Sequence, residues 1–221
     1  MYPNLTGRNL IMNVLAINGS PRPHGNTFNA LTAVTQELEA AGIQTEIVHI
    51  GNKDIRGCIA CGKCAEKGNG QCVFSDTVNE LLPRMVAADG IILGSPVYYA
   101  GINGTFKSFL DRAFFASASG VRPFRLKVGA AVVAVRRAGS TNAFDQLNKY
   151  FSISEMITVS SNYWNQVFGR SPGESNADAE GLQTMRVLGK NMAWLLQVIA
   201  AGKGPFPPPE PTAKIMTNFI R

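Results

Sequence analysis

The chain has 221 residues, 45% of them apolar, enough for a sizeable core in one large α/β domain, whereas charged residues make up only 16%, a deficit that points to covered surface. The formal charge is +6, but Lys and Arg are scattered, with Arg136–Arg137 the densest point, so no nucleic-acid-binding block is present. No apolar run approaches the roughly 18 residues of a membrane span, and the start lacks a basic stretch followed by an apolar one, so a cytoplasmic protein with reduced cysteines is expected.

Residues 1–11 read as a loose arm, and Met12, directly before the first strand, is a candidate alternative start. "NVLAI" (13–17) is a short apolar run of the kind that is buried on both faces of a parallel sheet. "NGSPRPHGNT" (18–27) follows as a loop. Over 27–41, Leu31, Val34, Leu38 and Ala41 recur at helical spacing, and Gly42 stands where a C-cap belongs. A strand over 45–50 leads into a loop of about 25 residues that holds all four cysteines, a length usually kept for function. After one more helix come a strand at 90–94 and the loop "GSPVYYAG" (94–101). A helix over 104–116 buries Phe106, Phe109, Leu110, Ala113 and Phe114. A strand over 128–135, the loop "AVRRAGSTNA" (134–143) and a helix follow. The last strand is expected at 156–160 and the last helix at 179–201, the latter with Leu182, Met185, Leu188, Met192, Leu195 and Ile199 on one face. The tail, residues 203–221, is proline-rich and cannot be helical in its first half.

This rhythm predicts one domain over residues 1–221: an α/β, doubly wound, five-stranded parallel sheet with helices on both faces. Such sheets take ligands beyond the carboxyl ends of their strands, and the three loops rich in glycine and small polar residues all lie there. The first loop has neither the lysine of a triphosphate-binding loop nor a G-x-G-x-x-G fingerprint. It offers backbone amides at a helix start after Gly25, the hydroxyls of Ser20 and Thr27, the Asn26 amide and the Arg22 guanidinium. That set suits a single terminal phosphate. In the second loop, Pro96 stiffens a backbone that faces the ligand, and Tyr98 or Tyr99 supplies an aromatic wall. The third offers backbone amides and Arg136 or Arg137. His24 and His49 have no partner identifiable from the sequence, and no acid–base cluster is visible.

"GSPRPHGNT" and "GSPVYYAGINGTFKSFLDRAF" (94–115) together resemble the flavodoxin-like NAD(P)H-dependent FMN reductases, especially the iron–sulfur flavoprotein branch, over about residues 13 to 200. The resemblance implies strand order 2-1-3-4-5. It also implies FMN as resident cofactor, NAD(P)H as hydride donor, and a small acceptor such as free flavin or a quinone. Ser20, Arg22, Gly25, Asn26 and Thr27 would hold the phosphate, and Ser95, Pro96, Val97, Tyr98, Tyr99 and Gly101 would border the ring. Arg136, Arg137, Ala138 and Gly139 would lie near its pyrimidine edge. A homodimer or homotetramer is implied as well. The alternative is an electron carrier between protein partners such as ferredoxin.

Cys58, Cys61, Cys64 and Cys72 are spaced C-x2-C-x2-C-x7-C. Three cysteines so close resemble a ferredoxin-type ligand run; structural zinc more often uses two separated pairs. In the iron–sulfur flavoproteins a compact run of this type binds [4Fe-4S], although the final spacing there is usually shorter. Three readings of the set therefore stand: a [4Fe-4S] cluster, free redox-active thiols, or zinc. Since the loop leaves the sheet at its carboxyl edge, the cysteines are expected on the side of the flavin pocket.

Overall fold

The computed structural model describes residues 12–119, 122–217 and 219; the expected arm, residues 1–11, lies outside them. In β1 (Asn13–Asn18), Val14 and Ala16 face one side of the sheet and Leu15 and Ile17 the other, as alternation along a strand requires. β3 (Gly90–Tyr98) and β5 (Val128–Val135) alternate in the same way. Ile92, Val132 and Ala134 face the side of Val14; Ile91, Leu93, Ala131 and Val133 face the other. Two hydrophobic layers result. One lies beneath α1 (Asn26–Ala40) and α6 (Ala179–Gly202), the other beneath α3 (Thr77–Ala87), α4 (Gly104–Ala118) and α5 (Ser140–Ile153).

The sheet runs β2 (Gln44–His49), β1, β3, β5, β6 (Ile157–Thr158), with every pair on this path parallel. It is the expected flavodoxin-like order, 2-1-3-4-5, once the two-residue β4 (Gly101–Ile102) is set aside as the return strand of a hairpin with β3. The switch of direction between β1 and β3 places the ligand crevice at their carboxyl ends.

The fifth strand differs from expectation. The run 156–160 supplies only two paired residues, and β7 (Gln166–Phe168) then takes over beside the upper half of β5. Between them, Ser161 Oγ donates to the Tyr163 carbonyl and accepts from the Tyr163 amide, so a local serine turn replaces ladder pairing. The long second connection also differs, because it contains a short helix, α2 (Lys63–Lys67), bounded by left-handed Gly62 and Gly68. The tail over 203–217 is exposed and has no regular structure, with Arg125 Nη2 donating to the Pro209 carbonyl at 2.8 Å.

Candidate functional site

The turn after β1 is pressed close to its neighbours. Gly19 N–H donates to the Gly94 carbonyl (2.8 Å), and a Cβ on Gly19 would stand 2.3 Å from the Phe106 ring, so only glycine fits there. Asn18 Oδ1 accepts from the Ser20 amide, and Ser20 Oγ accepts from the Arg22 amide, which curls the chain toward α1. His49, at the end of β2, reaches the Ser20 carbonyl through Nε2 at 2.7 Å, so this histidine buttresses the loop. His24 packs edge-on against Phe28.

The helix that begins here has Gly25 at its N-cap, with no side-chain cap and no acidic residue in its first turn. Thr27 is buried (1% exposed), and its Oγ1 has no hydrogen-bond partner. An uncapped helix start beside an orphaned buried hydroxyl is short of an acceptor, and a phosphate monoester supplies one. The loop therefore fits the expected group.

Two members of the predicted set are engaged elsewhere. The Asn26 side chain donates to the Ser171 carbonyl (3.0 Å) and accepts from the Gly173 and Ser175 amides. Those three bonds bolt residues 171–175 onto α1 and take up the Asn26 side-chain oxygen and one of its two Nδ2 hydrogens. Arg22 is exposed, with Nη1 at 3.5 Å from the Arg170 carbonyl, and would have to swing to meet a phosphate.

The second loop is the β3–β4 hairpin. Ser95 is fully buried; its Oγ donates to the Pro96 carbonyl and accepts from the Asn103 amide, so its hydroxyl shapes the loop from within. Asn103 caps α4 through the Phe106 amide. Tyr99 and Ala100 are both left-handed, at φ 48° and 59°, an arrangement that glycine and asparagine adopt far more readily. The turn stands Tyr99 fully in solvent and leaves Tyr98 half exposed, while Val97 pairs with Ile102 and Tyr98 with Gly101 across it.

The third loop is joined to the second. Asn142 Nδ2 donates to the Ala100 carbonyl at 2.7 Å, and Gln146 Oε1 accepts from the Ile102 amide. Gly139, at φ 89°, lies so close that a Cβ would come within 2.7 Å of the Ala100 Cα. Arg136, Arg137 and Ala138 are exposed on this rim. The first loop thus touches the second and the second the third at the carboxyl edge of the sheet, and Asn142, Gln146 and His49 are the joints that the sequence did not announce.

The cysteines gather on the flank of α4. They line a single cavity, together with Phe74 and Arg112, of about 20 Å³, which is room for about one water. The loop leaves the sheet at its carboxyl edge but folds down the flank of α4. Arg112, which touches Cys72, is a helical rise of about 13 Å from Asn103 at the rim. Cys64 is buried, Cys72 half-buried, and Cys58 and Cys61 exposed. Among the described residues no three His, Cys, Asp or Glu side chains converge as a ready metal site, because Cys58 and Cys61 face solvent. The donor set, four thiols with neither histidine nor carboxylate in the cavity wall, is the chemistry an iron–sulfur cluster requires. Seating one requires the outer strip of the loop to move.

Arg112 was the residue the sequence hid. Its guanidinium pairs with Asp76 through both nitrogens, Nη1–Oδ2 at 2.6 Å and Nη2–Oδ1 at 2.9 Å. Burial alone would lower its pKa, but its bonds to Asp76 and Cys72 outweigh that and raise it above the ordinary arginine value. The available signal was an arginine on the arc of α4 that otherwise holds Phe109 and Ala113.

The sequence profile described as NADPH-dependent FMN reductase matches residues 12–169. An iron–sulfur flavoprotein of Methanocaldococcus jannaschii is 38% identical over 201 residues, covering 85% of this chain and 99% of that one. An iron–sulfur flavoprotein of Methanosarcina thermophila is 30% identical over 190 residues, 85% of this chain and 97% of that one. Among solved structures, a WrbA-like flavodoxin from Agrobacterium tumefaciens superposes with a TM-score of 0.60 at 18% identity, covering 85% of this chain and 98% of that one, a likeness of fold. No helix among the described residues is long and apolar enough to cross a membrane.

Proposed function

Because this chain belongs to the NADPH-dependent FMN reductase family, we propose that it draws electrons from NAD(P)H and delivers them to a small acceptor such as free flavin or a quinone, with its four cysteines as the donor set of an iron–sulfur cluster. The family membership makes it a flavin-binding oxidoreductase of flavodoxin-like fold. The names of its relatives and the all-thiol cavity support the cluster.

The observation that carries the reading is Thr27 Oγ1, buried without a partner at the uncapped start of α1. In this reading, the first-turn amides, the Thr27 hydroxyl and the Ser20 hydroxyl donate to the phosphate. Tyr98 and Tyr99 wall the ring on the exposed side, and the amides over 136–139 lie toward its pyrimidine edge. When bound, FMN supplies the two-electron exchange. The chain binds and orients it, and leaves an open face above the hairpin where donor and acceptor take turns.

The test mixes FMN-loaded protein anaerobically with NADPH, with NADH, and with reduced ferredoxin in separate cuvettes, following flavin absorbance. Bleaching by a nicotinamide nucleotide, with recovery on adding quinone, is the expected result. Bleaching by ferredoxin alone would replace the reductase reading with that of an electron carrier between proteins.

A further inference from the structure

Flavin binding does not account for Arg112. Its side chain is wholly removed from solvent, and arginine is seldom placed so unless its donors are engaged. Here Nη1 and Nη2 hold Asp76, Nη1 also reaches the Arg56 carbonyl (3.3 Å), and Nε donates to Cys72 Sγ at 3.3 Å. The guanidinium lies over the Phe74 ring, which it shares with Arg56. Asp76 is fixed in its turn, since it caps α3 by accepting from the Val78 amide.

Cys72 is gripped from a second direction. Its amide donates to Asn79 Oδ1, and Asn79 Nδ2 donates to the Cys72 and Phe74 carbonyls. Cys64 packs in the core beside Ser119, whose hydroxyl is 3.8 Å from its sulfur. Cys58 is held only within its own turn, its Sγ accepting from the Ala60 amide at 3.4 Å, and among the described residues nothing from another element grips Cys58 or Cys61. They flank Ala60, which is left-handed at φ 52°, and their side chains face solvent.

The geometry points to Arg112 as the positioning residue of the cysteine site: its Nε–H, braced by Asp76, fixes the Cys72 sulfur, so that Cys72 and Cys64 form a set half-site onto which Cys58 and Cys61 close. This rests on reading the cysteines as iron–sulfur donors. A guanidinium N–H directed at a ligand sulfur draws electron density from it, and hydrogen bonds to the sulfurs are among the terms that set a cluster's reduction potential. Arg112 therefore also holds that potential up. Lysine in its place keeps the charge but has neither the fork for Asp76 nor the directed Nε–H.

The test uses full-length, FMN-loaded protein reconstituted anaerobically with ferrous iron and sulfide. Three quantities are read: iron and sulfide per chain, the rate of iron loss to a chelator, and the cluster midpoint potential. Arg112→Lys is expected to lose iron about tenfold faster than the unmodified protein. Its cluster potential should be lower, with FMN content and FMN potential unchanged. Phe74→Leu removes the ring but no hydrogen bond and should keep the unmodified cluster potential. If it lowers that potential as much as Arg112→Lys does, mere loosening is the cause and the assignment fails. Equal iron retention and equal potential in Arg112→Lys and the unmodified protein also overturn it. Should Arg112→Lys not fold, Asp76→Asn, which keeps a cap on α3 while slackening the guanidinium, must shift the potential the same way; an unshifted value overturns the assignment. Failure of the unmodified protein to take up iron and sulfide removes the cluster reading itself, and the role of Arg112 with it.

Discussion

A buried hydroxyl with nothing to bond costs on the order of 1–3 kcal/mol, and Thr27 is such a group. If the cost is carried in order to meet a phosphate, Thr27→Val has opposite effects in the two states. The flavin-free protein should become more stable by about 1 kcal/mol, and FMN affinity should fall about tenfold. Melting curves with and without FMN measure both; a variant less stable without FMN contradicts the assignment. Tyr150 offers a test by pH. Burial, and then the Asp111 carboxylate that accepts its hydrogen bond, push its pKa well above the ordinary value. The folded state thus keeps the phenol proton after the unfolded chain has lost it. The stabilisation is whole below about pH 10 and is lost as pH rises beyond that. Denaturant titrations should show the gap between the unmodified protein and Tyr150→Phe constant from about pH 7 to 9 and narrowing above about 10. At this scale the sequence put Ser20 at the turn and Thr27 at the helix start, where both are buried. It was misleading for Asn26, whose amide suits an anion equally well but holds residues 171–175, and silent on Arg112, whose meaning depends on Asp76 and Cys72 being folded beside it.

At the scale of elements, the cysteine loop is half scaffold and half flap. Alkylation of the reduced, metal-free protein with iodoacetamide, read by peptide mass spectrometry, should label Cys58 and Cys61 well before Cys64 and Cys72. Uniform labelling would show that α3 and α4 do not grip the inner pair. The short α2 escaped notice because a five-residue helix carries no measurable periodicity and exists by packing, with Cys64 turned into the core. Long helices such as α6 declared themselves through their apolar stripes, with bounds within a residue of expectation. The fifth strand was over-read because Val159 is buried like a strand residue, while the Ser161 turn, formed by side chain to backbone bonds, diverts the chain before pairing continues.

Across the whole molecule, the alternation of strands and helices placed the strand order and the two apolar layers correctly, because a doubly wound sheet can bury its two faces in few ways. What the rhythm could not convey was how far a 51–76 excursion travels down α4, which sets the depth of the thiols below the rim. The tail is a separable matter. Phe206, Ile215 and Met216 lie open to solvent, so ending the chain at Lys203 should move the melting temperature by less than about 2 °C. A larger drop, measured by calorimetry, would mean that those side chains are covered in solution. The interrupted border of the sheet has its own outcome. A foreign strand needs an uninterrupted row of free amides and carbonyls on which to zip, and here that row is cut into pieces of two and three residues by a bulging serine turn. That margin offers an incoming strand only short, separated pairing sites and is a poor template for edge-to-edge addition.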